Sequence, residues 1–216
     1  MTYISSLQNI HKLGTFGDYE NKNENELLRL KEVKNLIIYQ IVKYKNSTVD
    51  VSKMNLDGLR LPDPLKVKHN SSTRILWMGP DNWLVISDKK NIFDTFKNDF
   101  TDKDFAITDL SHSRTIIEVE GNLAREVIKK GSPLNINELG EGDCSNSVFH
   151  AITITLDFIS DNPQVIRVLA LRSFGESLHH SLTDACLEFG YKSVYKNFTN
   201  LSFSSHQLTD DYSQDY

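Results

Sequence analysis

The stretch Arg74–Ser87, RILWMGPDNWLVIS, sets two apolar, β-favouring runs on either side of Gly79-Pro80-Asp81-Asn82. Pro80 presets φ for a turn, and Asp81 and Asn82 suit the positions that follow. A short loop between two such runs closes a β-hairpin, so the strands must run antiparallel. No other segment restricts the fold as strongly.

The remaining segments are read against that hairpin. KNLIIYQIVKYK, residues 34–45, is rich in β-branched and aromatic residues and reads as a strand. LDGLRLPDPLKVKHN, residues 56–70, reads as an extended, unpaired connector, because Pro62 and Pro64 remove two donors. In residues 88–100, Ile92, Phe93, Phe96 and Phe100 fall at helical spacing. GNLAREVIKKGSP, residues 121–133, reads as a short helix with Asn122 as its cap, stopped by Gly131 and Pro133. VFHAITITLDFI and QVIRVLALRSF read as two more strands joined by Asp161-Asn162-Pro163. Residues 173–190 read as a helix in which Ser173 and Glu176 form a capping box and Gly190 is the C-terminal stop.

Hairpins thus alternate with helices. The expectation is an α+β protein of mostly antiparallel sheets with packed helices, built as two split-βαβ-like halves. Residues 1–30 are polar and uneven and are expected to be poorly ordered; 31–195 form the α+β domain; 196–216 are expected to be a disordered acidic tail.

Composition narrows the function classes. Lys plus Arg is 24 and Asp plus Glu is 29, a net charge of 24 − 29 = −5, which argues against a nucleic-acid partner. No apolar run approaches the length of a membrane span, and no secretory leader is recognisable. Cys144 and Cys186 form no C-x-x-C pair and read as reduced thiols, so a cytoplasmic location is expected.

The residues that most resemble a catalytic set lie in TDLSHSRTIIEVEG, residues 108–121. The stretch reads as a strand pair or one long bent strand; placed on one strand, Asp109, Ser111 and Ser113 would share one face, and Leu110, His112 and Arg114 the other. A nucleophile, base and orienter in line cannot be built that way. The expected role of Asp109 and Ser111 is to tie down backbone at a strand bend. Adjacent His179 and His180 point about 100° apart on a helix, cannot chelate one metal together, and are expected on a solvated face. Trp77 and Trp83 are expected as core or interface anchors. Arg114 and Arg172 could grip a carboxylate, with a structural ion pair the simpler expectation. No phosphate-cradling glycine loop is present. The expected catalytic, cofactor-binding and metal-binding sets on this chain are therefore empty.

Three segments, taken in order, carry a resemblance. They are LWMGPDNWLVIS, then DLSHSRTIIEVEGNLAREVIKKGSPLNINE, then LRSFGESLHHSLTDACLEFG. Together they resemble the gamma subunit of heterotetrameric sarcosine oxidase across residues 55–192. The matching positions are Gly79, Pro80, Asp81, Trp83 and Leu84, then Asp109, Ser111, Arg114, Val119, Gly121, Ala124, Arg125, Lys130, Gly131, Pro133 and Leu134, then Arg172, Ser173 and Phe174. The same phrase is similar to the folate-binding glycine-cleavage T proteins, but their Gly-Gly-x-x-Asp-Asp element is missing, and Asp157 lacks its surrounding pattern. The resemblance implies an accessory subunit of a complex that demethylates sarcosine to glycine and passes a one-carbon unit to tetrahydrofolate. It implies FAD, FMN, NAD and tetrahydrofolate on partner subunits, and alpha, beta and delta subunits as partners. The alternative is a stand-alone folate-binding, aminomethyltransferase-like protein.

Overall fold

A computed structural model describes residues 5–195. In chain order its strands are β1 (Gly14–Phe16), β2 (Leu28–Glu32), β3 (Ile37–Lys43), β4 (Asn55–Leu56), β5 (Leu59–Arg60), β6 (Val67–His69), β7 (Thr73–Gly79) and β8 (Asn82–Ser87). They continue with β9 (Phe105–Asp109), β10 (Arg114–Glu120), β11 (Cys144–Phe149), β12 (Ile152–Asp161), β13 (Gln164–Leu171) and β14 (Tyr191–Tyr195). The two α-helices are α1 (Ala124–Gly131) and α2 (Gly175–Cys186).

Two large sheets hold these strands. The seven-stranded sheet runs β1-β14-β2-β10-β13-β12-β11, and the five-stranded sheet runs β6-β7-β8-β3-β9. Every pairing is antiparallel except β14 with β2. Each sheet contains the strand order of a split βαβ unit. In the larger sheet it is β14, β10, β13, β12, with β2 wedged between β14 and β10; in the smaller it is β9, β3, β8, β7. The α+β reading therefore holds. The halves differ in their crossovers: α1 and α2 both serve the larger sheet, whereas residues 88–104 of the smaller half make a 3-10 turn over Ile92–Thr95 and further turns.

Strand alternation assigns the three apolar clusters. Ile117 and Val119 of β10 and Val168 and Ala170 of β13 face α1 and α2, meeting Val127, Ile128, Leu178 and Leu182. The opposite face, with Ile116 and Leu169, packs against Leu76, Leu84 and Ile86 of the smaller sheet. That sheet's outer face carries Ile41, Ile75, Val85 and Phe105, covered by Ile92, Phe96 and Phe100. Ile92, Phe96 and Phe100 are all fully buried, so the apolar spacing is used, but on turns rather than on the expected helix.

Several local expectations are corrected. The N-terminal segment is not loose: Leu7 is fully buried, β1 pairs with β14, and β2 is an interior strand. Its polar composition is offset by edge contacts, including Ser5 Oγ donating to the Glu32 carboxylate at 2.6 Å. The connector is partly paired, since β4 and β5 form a small hairpin and β6 pairs with β7; Pro62 and Pro64 lie outside all strands. Residues 148–159 do not form one strand. His150 and Ala151 take positive φ of 44° and 69°, turning β11 back on β12. Asn122 does not cap α1, which begins after Leu123. The capping box at Ser173 does not form, because Arg172–Phe174 is a 3-10 turn leading into Gly175. The expected tail, residues 196–216, lies outside the described residues.

Two glycines fit close approaches. A Cβ on Gly131 would stand 2.6 Å from the Phe149 ring. Gly121 holds φ at +131° with its α-carbon against Leu28, where a Cβ would meet the Leu28 side chain at 3.1 Å.

Candidate functional site

The space between the two sheets contains more than apolar side chains. Lys31, Glu118, Arg167 and Asp157 occupy one row across β2, β10, β13 and β12, each opposite the next in the ladder. They alternate in sign. Lys31 Nζ lies 3.3 Å from Glu118 Oε1, and Arg167 Nε donates to Glu118 Oε2 at 2.9 Å. Arg74 reaches this row from β7. Its Nε donates to Asp157 Oδ2 at 2.8 Å and its Nη2 to Oδ1 at 2.5 Å. The side chains of Arg74 and Asp157 are 1% and 0% exposed. A bidentate arginine–carboxylate pair is among the strongest neutralising contacts available to buried charge.

The geometry bears on Asp157, the acidic residue weighed for folate contact. It projects between the sheets, away from α1 and α2, and both of its oxygens are taken by Arg74. A fully paired, solvent-free carboxylate has no oxygen free for a ligand. The row's chemical capacity is positional: it fixes how one sheet sits on the other. Sequence reading missed Arg74. Its signal was a charge at an inward position of the hairpin strand, in phase with Leu76, matched by the charge of Asp157 within an apolar strand.

The stretch from Thr108 to Gly121 joins the sheets. β9 ends at Asp109 in the smaller sheet, residues 110–113 turn, and β10 starts at Arg114 in the larger. Asp109, Ser111 and Ser113 therefore do not sit on one strand. Ser111 is buried; its Oγ donates to Asp109 Oδ1 at 2.6 Å and accepts from the Ile38 N–H at 3.0 Å. Asp109 also accepts from the Ser111 N–H at 2.9 Å, and Ser113 Oγ donates to the Leu110 carbonyl. These bonds pin the crossover between sheets to β3.

The other singled-out residues lie in three places. Gly79, Pro80 and Asp81 make the tight turn of β7–β8, where Asp81 takes φ of 57° and lies 3.7 Å from Lys43 Nζ. Trp83 is 4% exposed and belongs to the outer cluster of the smaller sheet, so it is core and not a surface anchor. Gly121 and Gly131 flank α1. Arg114 and Arg172 come together at one end of the larger sheet: Arg114 stands opposite Leu171 in the ladder, and the Arg172 N–H donates to the Ser113 carbonyl at 2.9 Å. Burial lowers the Arg114 pKa.

The two helix histidines part company. His180 is exposed, but His179 is buried, its ring 5.5 Å from that of His11. His11 Nε2 is 2.7 Å from Ser193 Oγ. Desolvation, with smaller contributions from His11 and His180, pushes the His179 pKa down to about 4. The expected solvated position is overturned because residues 5–16 fold over this end of α2 and β14. A cavity of about 420 Å³ opens beside them, with Lys12, Glu176, His180 and Tyr191 in its walls. It lies on the helix side of the sheet, opposite the charged row. Among the described residues no three histidines, cysteines or carboxylates stand close enough to hold a metal ion. Among them, too, no helix is long and apolar enough to cross a membrane.

Two stacked, mostly antiparallel sheets with helices on one outer face place the chain in the α+β class of the glycine-cleavage T protein. The aminomethyltransferase T of the glycine cleavage system from Bartonella henselae has the same fold, with a TM-score of 0.54 at 10% identity over 78% of this chain and 47% of that one. Within the class, residues 47–188 match the sarcosine oxidase, gamma subunit family, and the chain belongs to that family. The sarcosine oxidase subunit gamma of Corynebacterium sp. (strain U-96) is 31% identical over 130 residues, which span 57% of this chain and 61% of that protein. The subunit gamma of Corynebacterium sp. (strain P-1) is 30% identical over 145 residues, 63% and 69% of the two chains. A chain of the heterotetrameric sarcosine oxidase from Corynebacterium sp. U-96, solved with pyrrole 2-carboxylate, superposes with a TM-score of 0.66 at 25% identity, over 77% of this chain and 87% of its own.

Proposed function

We propose that this chain is the gamma subunit of a heterotetrameric sarcosine oxidase and that it serves assembly, carrying no catalytic centre of its own. The observation that carries the reading is the Arg74–Asp157 pair: Asp157, the acidic residue of the region where the folate element would stand, is sealed between the sheets and consumed by an arginine. The serine and aspartate of the crossover are likewise spent on backbone. A chain whose polar groups are turned inward in this way contributes to an enzyme through its surface. In this reading alpha, beta and delta subunits are its partners and carry FAD, FMN, NAD and tetrahydrofolate. The assembled enzyme converts sarcosine to glycine by oxidative demethylation and passes the one-carbon unit to tetrahydrofolate. A cytoplasmic location is part of the proposal, supported by two buried free thiols.

The test is co-expression with the other three subunits, followed by native mass spectrometry and calorimetry with tetrahydrofolate. The expected result is a complex with one copy of each chain, and no folate binding to the lone chain. A lone chain that stays out of the complex and binds tetrahydrofolate at micromolar concentration, with loss in Asp109→Asn or in an Asp157→Asn chain that unfolds at an unchanged temperature, would establish the stand-alone folate protein instead.

A further inference from the structure

Arg114 differs from the other arginines whose contacts are resolved. Arg29, Arg74, Arg125 and Arg167 each meet a carboxylate. Arg114 meets none within ion-pairing distance among the described residues. Its Nη1 reaches only the Ser113 carbonyl and Ser113 Oγ, each at 3.5 Å, the outer limit of a hydrogen bond. The side chain is nevertheless half-buried. Removing a guanidinium from water without an anion is unfavourable, and it marks a place where an anion would be gained on binding.

Its neighbours indicate the chemistry of the occupant. Leu171 stands directly opposite Arg114 in the β10–β13 ladder, so the two side chains share the face that looks toward the smaller sheet. The next pair on that face, Ile116 and Leu169, is buried in the inter-sheet cluster. Arg114 and Leu171 therefore form the rim where that cluster meets solvent. Leu171 is 46% exposed, and Phe174, three residues on, is 45% exposed. A cation with no carboxylate partner opposite an exposed leucine, with an exposed phenylalanine on the turn that follows, is the composition of an interface centre, where arginine and aromatic residues supply most of the binding free energy.

We propose that the rim of Arg114, Leu171 and Phe174 is the docking point for a partner subunit of the complex, taking a segment with a carboxylate for Arg114 and an apolar side chain beside it. This rests on the reading of the chain as an assembly subunit, and commits it to one face.

The experiment uses the full chain and its partner subunits. Arg114→Gln, Arg114→Glu and the double variant Leu171→Ser/Phe174→Ser are compared with the unaltered chain in dissociation constant for the other three subunits. Thermal unfolding of each lone chain runs in parallel. Arg114→Gln should weaken binding at least 10-fold, Arg114→Glu more than Arg114→Gln, and the apolar double variant at least 10-fold. Unfolding midpoints should stay close to that of the unaltered chain, because none of these side chains is needed inside it. If the unaltered chain assembles and all three variants bind equally well, docking occurs elsewhere and the inference falls, while the assembly reading stands. If the unaltered chain does not assemble, the assembly reading falls first. If succinate binds the lone chain at micromolar concentration and Arg114→Gln abolishes it, the rim is a small-molecule site and the docking inference is overturned.

Discussion

Arg74 and Asp157 meet in a two-pronged ion pair between the sheets, with N–O distances of 2.8 and 2.5 Å, although 83 residues separate them in the chain. One comes from the central hairpin of the smaller sheet and the other from the longest strand of the larger. Each lies at an inward position among apolar neighbours. The pair therefore acts on sheet docking rather than on either sheet alone.

Breaking this pair from one side should be expensive. Arg74→Met or Asp157→Leu alone leaves an unpaired buried charge, at a cost of about 3 to 5 kcal/mol. Replacing both together should recover most of that loss, because buried ion pairs exchange with apolar residues at little net cost. Urea unfolding of the four members of the cycle measures it. Additive losses in the double variant would show that the two residues are not energetically coupled.

Ser111→Ala should lower stability by about 1 to 3 kcal/mol, the cost of leaving a buried donor unsatisfied, here the Ile38 N–H. Asp109→Ala should cost less, because Asp109 is exposed and water can replace its contacts. Under the proposed assembly role, sarcosine turnover by a complex reconstituted with either variant should be unchanged. A stable Ser111→Ala chain whose complex is inactive would assign the serine a chemical role.

The His179 environment sets a pH dependence. Its folded pKa is about 4, below the ordinary value of 6.5, so between these values the unfolded chain binds a proton that the folded chain refuses. This contribution to stability is complete above about pH 6.5, declines as the pH falls, and levels off below about pH 4. His11, Glu32, Lys34 and His180 face the same end of the fold and shape the curve. The loss should be at most on the order of 3 kcal/mol, reduced by the solvent that still reaches the ring. His179→Phe should flatten the profile of unfolding free energy between pH 4 and 6.5; an identical slope in the variant would place the titration elsewhere.

Cys144 and Cys186 should be inert in the folded chain. Burial pushes both thiols up to about 12, so near neutral pH both stay in the unreactive thiol form. Ellman's reagent should report no fast-reacting thiol in native buffer and two in guanidinium chloride. A stoichiometric fast reaction in native buffer would contradict the burial of at least one.

The sequence by itself determined the β7–β8 hairpin, the two helices and the alternation that separates core from surface along most strands. Each depends on contacts within about ten residues, where turn chemistry and apolar period act directly. Even in the mistaken helix over 88–100, three of the four apolar residues, Ile92, Phe96 and Phe100, are core while Phe93 is exposed, since apolar spacing reports burial more faithfully than backbone geometry. The family resemblance was also legible, because each of its three segments is a local run and their order is that of the chain.

Tertiary structure alone decided the rest. β2 became an interior strand because β14, more than 150 residues later, supplies a parallel neighbour that its own polar surroundings do not reveal. His150 and Ala151 turned an apolar run into a hairpin because the sheet could pair both halves. The alternating row from Lys31 to Asp157, capped by Arg74, exists only once five strands from two sheets are stacked in register. A charge in an apolar strand announces that a partner is required. Which partner it finds depends on strand order and sheet packing, and those are set by the sum of many distant contacts.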